Sequence, residues 1–223
     1  MKKNILKTFI ILALGAGISG CGNSFLETNY YKGIDVETGL STVDNISTAL
    51  NGTYYDLFYY YFAGNYAINI GDIPTDISYW NGKTGHFDGI YTYTYTDTDT
   101  YLKAIWEYGY KTADNAARVI EASKALYENV AAEEKSELDR CMAEAYALRG
   151  LVNVYAHQVK VNGTDHSSAP GIVLIDKPIE ALSQVSRSTV GQSYEAIVSD
   201  FNLAIMHFDA AGGDRQSLVF FNK

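Results

Sequence analysis

One cysteine stands where a lipid would be attached. Ile18-Ser19-Gly20-Cys21 supplies the small residues that a lipoprotein signal peptidase needs before a cysteine, so Cys21 is expected to begin the mature chain and to carry the lipid. The segment before it has the matching layout, with Lys2, Lys3 and Lys7 as a positive start and an apolar run from Phe9 to Leu14. That run is too short to span a bilayer, which takes roughly 20 apolar residues. Other reactive groups are sparse in pattern. Asp72, Asp76 and Asp88 could serve as the two carboxylates of glycoside hydrolysis, although nothing in the sequence fixes their separation. Asp72 with Asp76, or Asp97 with Asp99, could offer oxygen to a hard cation, but the D-x-D-x-D-G pattern is missing. His86, His157, His166 and His207 lack metal-ligand spacing, and neither a G-x-S-x-G elbow nor a phosphate-binding loop is present. No catalytic residue, metal site or cofactor is therefore expected.

Removing residues 1–20 takes away three lysines and no acids, which moves the formal net charge from −9 to −12. An acidic, extracytoplasmic protein is a poor partner for nucleic acid, whose binding rests on Lys and Arg neutralising phosphates. It also lacks the basis for a polybasic membrane contact, which leaves triacylated Cys21 as the expected tether to the membrane. Once Cys21 is lipidated, Cys141 is alone and an intramolecular disulfide is impossible. Cys141 sits in helical pattern beside Met142, Ala145 and Leu148, as a buried small apolar residue would.

The elements that must position any site are mostly helical. Residues 22–41 read as a tether. From Thr42, the residues Ile46, Leu50, Tyr54, Leu57, Phe58 and Tyr61 share one helical face, with Ser41 or Thr42 as N-cap and Gly64 as stop. Gly52 inside that helix suggests close backbone packing on a neighbour. Helical pattern returns over 101–126 and 134–158, joined by a linker at 129–132 short enough to make an antiparallel hairpin. A last helix opens at the capping box Thr189-Val190-Gly191-Gln192, and its apolar face runs from Tyr194 through Ile197, Val198 and Phe201 to Ile205 and Phe208. Glu144 and Arg149 are expected to contribute to a buried polar pair in the hairpin. Between the helices lie two irregular stretches. The first, 65–100, is too long for a bare connector and too aromatic for disorder, and its alternating segment 90–96 reads as a half-buried strand or extended ribbon. The second, 159–188, holds the strand-like piece 171–175. The fold class is thus mainly α: tetratricopeptide-like helical hairpins, long irregular loops and little strand. The chain holds 19 tyrosines, many of them between Tyr54 and Tyr110, and tyrosine suits both half-buried packing and contact with sugars.

In order along the chain, several motifs resemble those of the SusD/RagB family of surface glycan-binding lipoproteins of Bacteroidetes. Cys21 with Phe25-Leu26-Glu27 resembles the lipidated start, and residues 49–54 the first helix. Gly71-Asp72 with Thr75-Asp76 resembles a turn after that helix, and Trp106, Tyr110 and Asn115 resemble a W…Y…N helix. Residues 143–151 resemble the E-A-x-x-L/F-R-A helix, and Arg187, Thr189, Tyr194, Ile197 and Asp200 an R-x-T…Y-x-x-I-x-x-D stretch. Family members are considerably longer, so 42–223 is expected to be the N-terminal part of a SusD-like helical domain. Gly22-Asn23-Ser24 also lacks the acids that often follow the cysteine in surface-exported lipoproteins of that group.

The resemblance implies capture rather than chemistry: a lipid-anchored outer-membrane protein, facing the exterior, that binds oligosaccharide or polysaccharide and hands it to a SusC-like TonB-dependent transporter. It also implies an aromatic platform with a nearby Asn, for which Tyr79, Trp80 and Asn81 are the candidates. A flat ring matches the apolar face of a pyranose, and an amide can both donate to and accept from vicinal hydroxyls. The competing reading is that Trp80 fills the scaffold. His86 and Phe87 are lesser candidates, while Tyr91, Tyr93 and Tyr95 are expected to pack in a sheet and Trp106 in a helix core. Readings from other classes are a structural envelope lipoprotein with an exposed apolar patch and a glycoside hydrolase.

Overall fold

Thr42 starts the first helix by accepting the Asn45 amide on its Oγ1 at 3.2 Å, which satisfies one of the donors a helix N-terminus leaves unpaired. The computed structural model describes residues 39–160, 167–180 and 182–212, with the backbone alone at 158–160. The signal, Cys21 and His166 lie outside the described residues. The helices are α1 (Val43–Leu57), α2 (Tyr66–Asn69), α3 (Asp88–Tyr91), α4 (Thr100–Tyr127), α5 (Ala132–Lys160) and α6 (Val190–Ala210). Among the described residues there is no strand, only one antiparallel bridge between Pro170 and Thr189.

α1 buries Ile46, Leu50 and Leu57 and stops at Leu57, earlier than its apolar spacing suggests. The chain then folds back: the Ala63 amide donates to Leu57 O at 3.0 Å and the Gly64 amide to Tyr59 O at 3.1 Å. A Cβ at Gly64 would sit 2.3 Å from Phe58 O, so this glycine closes the turn instead of ending the helix. Phe58 and Tyr61, expected on the buried face, are consequently 56% and 39% exposed. Gly52 also departs from expectation. It is exposed, and a Cβ there would meet nothing within 4 Å. Gly52→Ala should therefore stabilise the protein by about 1 kcal/mol through helix propensity. Thermal unfolding should show this as a rise of about 2–4 °C.

Asp99 caps α4, its Oδ1 accepting the Tyr101 and Leu102 amides at 2.9 and 3.0 Å. α4 and α5 form the expected antiparallel pair. Tyr127 donates to Asp139 at 2.8 Å near the connecting turn, while Gly109, far from it, faces Val152. α6 runs antiparallel to α5 on the other side, as the successive contacts His207 to Asp139, Asp200 to Arg149 and Tyr194 to His157 show. α5 lies between α4 and α6 and also meets α1, and Leu138, Cys141, Met142, Ala145, Leu148 and Val152 are all buried along it. Small residues let the axes approach. A Cβ at Gly109 would be 3.3 Å from the Phe62 ring, and one at Gly150 3.3 Å from the Phe201 ring. Burial pushes the Cys141 thiol up to about 11, which suits a packing residue and not a nucleophile.

The polar pair expected between Glu144 and Arg149 does not form. Glu144 accepts from Arg140 Nη1 at 2.6 Å and lies beside the Tyr54 hydroxyl of α1. Arg149 reaches instead to α6, where it meets Asp200 at 2.9 and 2.6 Å, and to Asp176 O at 3.0 Å.

α6 begins with the capping box read from the sequence: Thr189 Oγ1 accepts the Gln192 amide at 3.2 Å and Gln192 Oε1 accepts the Thr189 amide at 2.9 Å. Ile197, Asp200 and Ala204 face inward, while Tyr194, Val198, Ile205 and Met206 are exposed, so the expected apolar face is only partly covered by the described residues. The segment 171–175 runs extended beside 188–191, with the Gly171 amide on Ser188 O at 2.7 Å and the Ser188 amide on Ile172 O at 2.8 Å. It makes these two ladder bonds without becoming a strand.

Candidate functional site

The long stretch 65–99 organises itself around aromatic rings and local hydrogen bonds. The residues of the Trp80 turn bond chiefly to one another. Trp80 Nε1 donates to Thr84 O at 3.2 Å, the Lys83 amide donates to Asn81 Oδ1 at 3.0 Å, and Gly82 takes φ +71°, a left-handed conformation suited to glycine. The Trp80 ring leans on Tyr91 at 6.1 Å between centroids and 39° between planes. Trp80 is half-buried in this loop and is not among the residues of the helical core. Tyr79 is 88% exposed and Asn81 is exposed, with the Asn81 amide nitrogen still able to donate. The three residues thus share one small turn: an outward phenol, a braced indole and an amide whose oxygen already accepts one bond.

The segment expected as a strand over 90–96 is a short helix followed by turns. α3 follows Phe87, whose φ is +57°, and Tyr93 takes the same value. Thr92 Oγ1 returns to Asp88 O at 2.8 Å, and the Thr92 and Thr94 hydroxyls pair at 2.9 Å. Tyr93 donates to Pro74 O, tying the two ends of the loop, and Ile90 is the buried residue of α3. Tyr91, Tyr93 and Tyr95 therefore do not pack in a sheet. Phe87 stacks on Tyr101 at 4.3 Å, and His86 Nδ1 lies 3.2 Å from the Tyr101 hydroxyl, so both join the loop to the start of α4.

Asp72, Asp76 and Asp88 are all exposed, and Asp99 is used as a helix cap. No group of three or more His, Cys, Asp or Glu among the described residues could hold a metal ion.

Sequence reasoning did not single out the tyrosines around the end of α1. Tyr59 stacks on Tyr108 of α4 at 4.7 Å and 14°, and Tyr61 meets both rings edge-on at 5.5 and 5.6 Å. Desolvation, with other phenols beside each ring, holds the Tyr66 and Tyr108 hydroxyls above the usual tyrosine range. The signal was the excess of tyrosine itself, but composition cannot say which rings surface.

Residues 25–210 match the model of a family, SusD-like_3, described as starch-binding associating with outer membrane. The chain belongs to this SusD-like family. Its fold is likewise that of solved SusD superfamily structures. A SusD superfamily protein from Bacteroides thetaiotaomicron is 25% identical with a TM-score of 0.63, over 74% of this chain and 37% of that one. A candidate sugar-binding protein from Bacteroides vulgatus is 19% identical with a TM-score of 0.65, over 76% of this chain and 38% of that one. A SusD homologue from Bacteroides thetaiotaomicron is 17% identical with a TM-score of 0.61, over 82% of this chain and 32% of that one. The chain therefore spans less than two fifths of the length of these SusD-like structures. Among curated proteins none matches it. No helix of the described residues is long and apolar enough to cross a membrane.

The family motifs acquire physical roles in the structure. Trp106 and Tyr110 pack at 4.7 Å, Tyr110 donates to Val173 O at 3.0 Å, and Asn115 donates to Asp56 of α1 at 2.7 Å. Arg149 and Asp200, read from two separate SusD-like motifs, are partners. Arg187 donates to Gly171 O and Pro170 O at 2.6 and 2.7 Å and so holds the connection before α6.

Proposed function

We propose that this protein is an outer-membrane lipoprotein, anchored through Cys21 and facing the exterior, that captures an oligosaccharide or polysaccharide and delivers it to a SusC-like TonB-dependent transporter. The observation that carries the reading is the match of residues 25–210 to a family described as starch-binding and outer-membrane associating. The Trp80 turn supports it locally. An exposed phenol, an indole held by its own loop and an amide donor form a small, pre-set surface of the kind a pyranose ring can lie on. Pre-setting matters because a ring already fixed loses little freedom when a sugar stacks on it. The role is binding without chemistry, as the description of the matched family as starch-binding suggests.

Affinity electrophoresis of the full chain in detergent against a panel of polysaccharides tests this reading. The wild type should be retarded by at least one glycan, and Trp80→Ala should weaken that retardation by about tenfold, the loss of one well-placed aromatic contact. No retardation of a folded wild type by any glycan would refute capture. Co-purification of the transporter from outer membranes tests delivery separately.

A further inference from the structure

The largest group of linked rings in the described residues lies where α1 ends against α4. Tyr55 meets Tyr59 at 5.7 Å, Tyr59 meets Tyr61 at 5.5 Å, and Tyr61 meets Tyr60 at 5.7 Å. The floor under these rings is fixed. Tyr59 is stacked on Tyr108, and Tyr60 and Tyr61 both rest on Tyr66, which is only 9% exposed. Beside the floor, Lys111 lies 5.8 Å from the Tyr108 ring centroid while paired with Asp56 at 2.9 Å. The upper rings are open to solvent: Tyr55 is 67% exposed, Tyr60 52% and Tyr61 39%.

Exposing so many aromatic rings in one patch forgoes the burial that ordinarily stabilises them, and such patches mark contact surfaces. We infer that Tyr55, Tyr60 and Tyr61 form a second glycan-contacting surface, on which a polysaccharide chain lies with its sugars against the rings. This rests on the glycan-capture reading above and extends it from one point of contact to two. Three observations favour a sugar chain as the occupant. The exposed rings are phenols, each offering an apolar face together with a hydroxyl that donates and accepts. Tyr60 and Tyr61 stand 5.7 Å apart with their planes at 73°, so together they make a corner that offers one sugar ring a phenol face and a phenol edge. The array is also continuous with the loop that carries Trp80, because Tyr66 touches Phe87 at 5.3 Å and Tyr101 at 4.9 Å, and Tyr101 meets His86. Two weak contacts on one chain reinforce each other, since binding at the first raises the effective concentration at the second.

The test is affinity electrophoresis of the full chain in detergent with the glycan that retards the wild type, comparing Tyr60→Ala/Tyr61→Ala with Tyr60→Phe/Tyr61→Phe and Trp80→Ala. Circular dichroism establishes that each is folded, and the single variants Tyr55→Ala and Tyr60→Ala, at more exposed positions, replace the double variant if it is not. The alanine pair should weaken retardation about threefold to tenfold, and the phenylalanine pair should keep most of it because the ring faces remain. The effect should be larger on a long polysaccharide than on a short oligosaccharide that cannot reach both surfaces. Wild-type retardation by the alanine pair, with Trp80→Ala impaired, overturns the second surface and leaves capture standing. Failure of the wild type to bind any glycan overturns both. Unchanged retardation of the alanine pair together with loss of a co-purifying envelope protein overturns the inference and gives the tyrosines to a protein partner.

Discussion

Arg149→Ala is expected to destabilise the protein by about 3–5 kcal/mol, because it leaves the Asp200 carboxylate buried without its partner. Both side chains of the pair are almost fully buried, at 9% and 6% exposure. The guanidinium makes two bonds to the carboxylate, a third to Asp176 O, and lies over the Tyr146 ring at 5.2 Å. Geometry of that quality satisfies both charges, but only together. Asp200→Ala should be comparably harmful for the mirrored reason, a guanidinium held in an apolar setting with one backbone carbonyl left to it. Replacing both, as in Arg149→Met with Asp200→Leu, should recover much of the loss, since no charge then remains to be desolvated. Urea unfolding of the four proteins in a double-mutant cycle measures this. Additive single losses would show that the two groups do not act as a pair.

Gly171→Ala is the second large effect, and it arises from space instead of charge. A Cβ at this position would stand 2.3 Å from Ser193 Oγ and 2.5 Å from Thr189 O. The Thr189 carbonyl belongs to the capped start of α6, so it cannot turn aside without disturbing the helix entry. Ser193 Oγ meanwhile donates to Thr189 O at 2.8 Å and pairs with the Ser188 hydroxyl at 2.8 Å. One methyl group should therefore push the segment 167–175 off the α6 N-terminus at a cost of about 3 kcal/mol, the upper part of the range for overpacking. Hydrogen exchange should locate the damage: the Gly171, Ser188 and Val190 amides, which bridge the two segments, should lose protection before those of α4. Uniform loss throughout the helices would instead mean that the segment is integral to global stability.

The long helices were legible because twenty or more residues of consistent spacing outweigh local ambiguity, and because Thr189 and Gln192 form the capping box their types announce. The segment 90–96 was misread for a physical reason. Alternation signals a strand only where a partner strand can take up its backbone bonds, and here Thr92 returns its hydroxyl to the backbone four residues earlier, favouring a helical turn. Glu144 and Arg149 were joined because buried charges are normally paired, yet residues five apart point about 140° away from each other around a helix. The true partner of Arg149 is 51 residues on, a distance no local spacing reveals. At the candidate site, the family resemblance together with residue type named Tyr79, Trp80 and Asn81, but neither could show that Trp80 and Asn81 share a turn. The tyrosine array was hidden because exposure of Tyr60 and Tyr61 depends on α1 stopping at Leu57, which a turn closed by Gly64 decides.

The Trp80 turn makes its hydrogen bonds to itself, between residues 80 and 84, and leans on the rest of the protein through Tyr91. The helices, by contrast, are cross-braced by partners dozens of residues apart, among them Arg149 with Asp200 and Asn115 with Asp56. Change is therefore cheap in one region and ruinous in the other. A lineage could rewrite the loop, residue by residue, while inheriting the helical body intact.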